Sequence, residues 1–205
     1  MSADDLKFVT WVKLRRRSTC SPPVPAECRP KSSISPPLEA LKLVVDRAPT
    51  LRCAGRDRVR QLIPHQYSLY NPPMNQAQRQ YNKQQVETLI PHGFHSRDVT
   101  RPRSDQYEHP VVQRAIALIG FPSPDAIGST FYEYFNPMPL PTVAFALTTV
   151  QFCIEEWETG VFKAKELRAE RQYNTYCAHL KGLQQYESAA IARMTRFRRE
   201  WFEFA

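Results

Sequence analysis

Two hundred and five residues with 28 Lys/Arg against 20 Asp/Glu carry a formal net charge of +8, and all of it sits in residues 1–108, which hold 18 cations against 10 acids. Five cysteines (Cys20, Cys28, Cys53, Cys153 and Cys177), odd in number and without close paired spacing, fit free thiols in a reduced compartment better than a disulfide framework or a zinc site. The most apolar run, Leu140 to Ile154, is shorter than the roughly 20 residues of a membrane helix, and no apolar leader opens the chain; the expectation is an intracellular protein, cytoplasmic or nuclear, neither secreted nor membrane-spanning.

Residues 4–16 place Leu6, Val9 and Val12 in helical step and run into the basic cluster Lys13, Arg15, Arg16 and Arg17. Prolines 22, 23, 25, 30, 36 and 37 follow, and Leu38, Leu41, Val44 and Val45 then predict a short helix over 38–47. A basic, Pro-rich stretch buries too little apolar surface to offset chain entropy, so residues 1–74 are expected to be largely disordered. Leu62-Ile63-Pro64-His65 recurs as Leu89-Ile90-Pro91-His92, a repeat too short to signal a structural array. Between the copies, Ala77, Tyr81, Val86 and Leu89 predict a helix over 75–90.

Beyond Pro110 the pattern tightens. Segments 110–119, 124–135 and 141–158 each open with proline near the first turn, where the missing N–H costs nothing, and Gly120 and Gly160 stand where C-terminal caps belong. Val143, Leu147, Val150, Ile154 and Trp157 form one stripe of the third segment, while Phe145 and Phe152 face elsewhere; a helix apolar on more than one face is expected at the centre. No proline follows Pro141. From about Lys165 the stripe Tyr173, Tyr176, Leu180, Leu183, Tyr186, Ala190, Met194, Phe197, Trp201, Phe204 steps by three or four residues. An unbroken helix of that length would far exceed the mean of about 11–12 residues, so Gly182 or Ser188 is expected to break it. The fold expectation is all-α: a small bundle of about four to six helices over residues 75–205, with its core in 109–190, behind a disordered lead of residues 1–74.

His109-Pro110-Val111-Val112, Tyr132-Glu133-Tyr134-Phe135-Asn136-Pro137, the segment Val150 to Gly160 with its Glu155-Glu156-Trp157-Glu158-Thr159-Gly160 ending, and Tyr173-x-x-Tyr176-x-x-His179-Leu180 together resemble a known family. It is an uncharacterised all-helical domain of basidiomycete fungi, a domain of unknown function, and the resemblance covers roughly residues 75–190. It implies an intracellular fungal protein and an all-α structure, and it implies no reaction, cofactor or catalytic residue.

The residues themselves point the same way. His92 and His95 lie three apart, but Pro91 and Gly93 spoil the rigid turn that a metal pair needs, and no further ligands stand at zinc spacing. Glu155, Glu156 and Glu158 read as a solvated acidic edge near a helix C-terminus, compensated by Lys163 and Lys165. His179, between Tyr176 and Leu183, reads as a buried histidine with one hydrogen-bond partner, because a general base needs an orienting group. Cys153 and Cys177 read as inert buried thiols. No catalytic residue, cofactor site or metal site is assigned.

What remains is surface. Met194, Phe197, Trp201 and Phe204 form a heptad-like stripe flanked by Arg193, Arg196, Arg198 and Arg199, with no evident partner in so small a core. The expectation is therefore a non-enzymatic protein–protein interaction or self-association module acting through that stripe. The alternative is sequence-nonspecific nucleic-acid binding through Lys13, Arg15, Arg16 and Arg17; an enzyme of unrecognised type is the third.

Overall fold

In a computed structural model the protein is described over residues 38–98 and 105–205, with side chains from residue 52 onward other than at 169. The chain divides into two compact units, Met1–Arg52 and Cys53–Ala205. Of the first, only the opening turns of helix α1 (Leu38–Gln66) are described.

The described residues form helices and no strands: α1, α2 (Gln76–Leu89), α3 (Pro110–Gly120), the single turn α4 (Ile127–Thr130) with a 3₁₀ turn at Tyr132–Tyr134, α5 (Leu140–Glu155), α6 (Ala169–Ala189) and α7 (Ile191–Phe204). Local chemistry sets several of the boundaries. Asn75 caps α2 by accepting from Gln78 N at 2.9 Å, and the Gln78 side chain reaches back to accept from Met74 N, one residue before the cap, at 2.6 Å. His109 caps α3, its Nδ1 accepting from Val111 N at 3.1 Å, with Pro110 in the first turn.

Helix α5 is the centre, touching α2, α3 and α6. Twelve of its 16 residues are buried, as expected for a helix apolar on more than one face. Its two buried threonines return their hydroxyls to the helix, Thr148 to Ala144 O at 2.7 Å and Thr149 to Phe145 O at 2.9 Å, so no polar group is stranded there.

Several expectations are corrected. The short helix over 38–47 is the start of a 29-residue helix, α1. The core does not begin at residue 109, nor the ordered part at 75: Val59, Ile63 and Tyr67, each four residues on, and then Leu69 are buried in the same core as α5. The core also reaches past residue 190, to Met194, Phe197 and Trp201. The segment 124–135 is not one helix but a turn of α and a turn of 3₁₀, folded tightly enough that a Cβ at Gly128 would meet the Gly120 carbonyl and the Phe121 ring. The final region breaks at Ala190 (φ −144°, ψ 57°) rather than at Gly182 or Ser188. Gly182 serves close packing instead, with the Tyr107 hydroxyl 3.0 Å from where a Cβ would stand. The two four-residue repeats also diverge: Ile63-Pro64 lies inside α1, whereas Ile90-Pro91 follows the end of α2 through a cis peptide.

Candidate interaction surface

The C-terminal stripe is not the surface it was expected to be. Met194 is 0% exposed, and Phe197 and Trp201 are each 4% exposed. The break at Ala190 turns α7 back so that it packs on α3 and α6. Phe197 stacks on Tyr186 (centroids 6.4 Å) and neighbours Trp201 (5.7 Å), while Arg193 and Arg196 lie over the Phe197 ring at 5.6 and 5.5 Å. The flanking arginines fasten the helix down. Arg198 donates to Met138 O at 2.7 Å and to Glu187 at 2.8 Å, and Arg193 pairs with the buried Glu108. Only Phe204, 49% exposed, faces water. The basic cluster Lys13, Arg15, Arg16 and Arg17 lies outside the described residues.

The acidic edge divides. Glu158 is exposed and pairs with Lys165 at 2.8 Å, as a solvated edge would. Glu156 is buried, its carboxylate clamped by Arg60 through Nε and Nη2, both at 2.8 Å, and it also accepts from Lys165 N at 2.9 Å. The bonds to Glu156 hold the Arg60 guanidinium's pKa above its ordinary value, against a smaller opposing effect of burial. Glu155 accepts from Gln151 Nε2 at 2.9 Å, and Gln151 Oε1 in turn meets His179 Nε2 at 2.9 Å. His179 is therefore buried with a hydrogen-bond partner, as expected, and that partner is the Gln151 side chain; its ring lies edge-to-face on Phe94. Burial first, and then the charge of His92, lower its pKa to about 4. His95, stacked on Tyr107 at 4.6 Å, is lowered to about 3, first by burial and then by its histidine neighbours. His92 is exposed while His95 is buried, and no metal-binding cluster occurs among the described residues. Cys153 is buried and its thiol pKa is raised by burial; Cys177 is half-buried.

Exposed apolar residues gather elsewhere, where the end of α1, the start of α2 and the loop after α5 meet. The tie is Asn82, fully buried on α2. Its Oδ1 accepts from Tyr70 N at 2.9 Å, and its Nδ2 donates to Tyr70 O and Gly160 O, both at 3.0 Å. Gly160 (φ +79°) lies so close to α2 that a Cβ would collide with the Arg79 carbonyl, so only glycine serves there. Around this tie stand Tyr70 (44% exposed), Met74 (83%), Tyr81, Val161 and Phe162. Tyr70 and Tyr81 meet edge-to-face at 5.4 Å. These are five of the nine exposed large hydrophobic residues described. Beside them opens a cleft of about 400 Å³ lined by Arg60, Gln61, Pro64, His65, Leu69, Asn71, Trp157 and Phe162.

The profile of a family described as a domain of unknown function, DUF6532, matches residues 10–186. The chain belongs to that family. No curated protein and no solved structure matches it. The DUF6532 match reaches back to residue 10, well before the residue 75 at which the resemblance was read, and so takes in α1 as well as the bundle. No helix among the described residues of this DUF6532 protein is long and apolar enough to cross a membrane. The aromatic face around Asn82 was missed in the sequence because its members lie far apart, at 70–81 and 161–162, with no shared period to join them.

Proposed function

We propose that the chain is a non-enzymatic helical protein–protein interaction module of a fungal intracellular protein, and that it acts through the face around Asn82. The observation that carries this reading is that Asn82 draws together the segments bearing the exposed Tyr70, Met74, Tyr81, Val161 and Phe162, the last of which also lines a cleft. Contiguous exposed apolar residues on an otherwise well-packed domain mark a surface covered by something else. Tyrosine, methionine and phenylalanine are also the residue types enriched where proteins meet. The interior titratable groups support the same reading from the other side. Glu156 is clamped, and His95 and His179 are packed against aromatic rings with their proton affinity lowered.

Proximity labelling with the full chain tests this. Partners labelled by the wild type should be lost in a Tyr70→Ser/Phe162→Ser variant and kept in a Phe204→Ser variant. An identical labelled set for all three would remove the face as the site of contact.

A further inference from the structure

The cleft beside this face has a chemistry of its own. Its apolar walls are Pro64, Leu69, Trp157 and Phe162, and its polar rim is Arg60, Gln61, His65 and Asn71. A volume of about 400 Å³ lies near the low end of the range for ligand pockets, roughly 300–1,000 Å³. That suits one large side chain with its adjoining backbone. Arg60 donates to Glu156 and Asp57, and its guanidinium lies 5.6 Å from the centre of the Phe162 ring. A flat, preset cation–aromatic wall of this kind receives a third planar group without further ordering.

The charge around the cleft selects further. Asp57 is taken by Arg56 and Arg60, Glu156 by Arg60, and Glu158 by Lys165. Lys163, next to Phe162, and Arg79, whose carbonyl lies against Gly160, are exposed and form no ion pair with a carboxylate among the described residues. The rim itself is neutral at Arg60, and the positive charge stands beside the cleft, on Lys163 and Arg79, where it steers a partner of opposite sign and repels a basic one. We propose that the cleft takes an aromatic anchor side chain from an acidic peptide segment of a partner protein. This rests on the interaction-module reading above and adds to it the chemistry of the partner.

Fluorescence polarisation of labelled short peptides with the full chain tests it. One peptide carries a central Trp between Asp/Glu flanks. The others replace the Trp by Ala, or the flanks by Ser/Gln or by Lys. The acidic Trp peptide should bind about tenfold or more tightly than either its Ala or its Lys counterpart, in line with electrostatic selection on top of an anchor. Phe162→Ala should weaken it about tenfold, as loss of an anchoring wall does. Arg79→Glu/Lys163→Glu, both solvent-exposed and so safe for folding, should weaken it several-fold and flatten its salt dependence. Backbone hydrogen exchange should slow at residues 70–71 and 160–163 when the peptide is present.

Neutral or basic peptides that bind as tightly and are lost with Phe162→Ala would overturn the acidic partner and leave the interaction face standing. Absence of binding up to about 1 mM protein, the limit of weak complexes, or binding indifferent to both variants, would overturn the anchor site itself. A concentration-dependent dimer abolished by Phe162→Ala would overturn it in favour of a second copy of the chain.

Discussion

Helix α7 and the Asn82 face use similar side chains and put them to opposite ends. Helix α7 carries Met194, Phe197 and Trp201 among arginines, and all three are buried. The Asn82 face carries Tyr70, Met74, Tyr81 and Phe162 with Arg60, Arg79 and Lys163 around them, and its aromatics stay in water. The difference lies in how each is supported. A continuous stripe can dock as one unit, and the hinge at Ala190 gives α7 the angle to do so, with Arg198 bonding back to Met138 O. The face around Asn82 is assembled from three separate segments held by backbone hydrogen bonds to one amide, which leaves the rings on the outside. Amphipathic periodicity therefore marks a helix that has a partner, and here the partner is internal.

Four measurements break or sharpen this contrast. The largest effect belongs to Trp201→Ala. If the stripe is core, urea unfolding should show a loss of about 3–5 kcal/mol, the usual range for removing a buried Trp. A loss no greater than that of Phe162→Ala would return the stripe to the surface.

Acid is the second probe, and the histidine share of it is read from the difference between the wild type and a histidine variant. His179 has its folded pKa lowered to about 4 from an ordinary 6.5, so below 6.5 the unfolded chain binds more protons than the folded one. Its contribution is intact above about pH 6.5 and is lost as the pH falls towards 4, on the order of 3 kcal/mol by linkage. His95, lowered to about 3, acts in the same direction. His179→Gln should flatten the fall in stability between pH 6.5 and 4; an unchanged profile would mean that the histidine is not desolvated.

Glu156→Gln comes third. It leaves Arg60 with only the exposed Asp57 as a charged partner, at a cost of about 2–3 kcal/mol, below the figure for fully buried pairs because Asp57 remains and the Arg60 side chain keeps 23% of its exposure. The variant also loosens the Lys165 backbone bond to the same carboxylate, so hydrogen exchange at Lys165 should quicken along with the drop in stability. The smallest effect is expected on the face itself. Tyr70→Ser and Phe204→Ser should each change stability by less than about 1 kcal/mol, as exposed substitutions do. A Tyr70→Ser loss comparable with Trp201→Ala would show that the exposed ring is part of the core after all.

Much of the fold was legible. Helices α2, α3 and α5 follow the expected spans to within a few residues, because proline or asparagine at their starts and a strict apolar period leave little choice. A break in the last region was expected at Gly182 or Ser188; both stay within α6, the Ser188 hydroxyl bonding back to Gln184 O at 2.9 Å, and the chain breaks at Ala190. The lead was misread in part. Its proline count masked the residues Val59, Ile63, Tyr67 and Leu69 that complete the core. Glu156 was read as solvated because its partner, Arg60, stands 96 residues away.

The sequence alone determined that this is a chain of helices with α5 at its centre, because helical period, capping residues and proline positions act over a few residues and need no distant partner. It also pointed to His179 as a buried histidine. Only the tertiary structure decided which aromatic stripe is core and which is surface, what neutralises Glu156, and that Asn82 draws Tyr70 and Gly160 together. Burial and charge pairing depend on which surfaces meet in space, and segments separated by tens of residues carry no local signal of where they will meet.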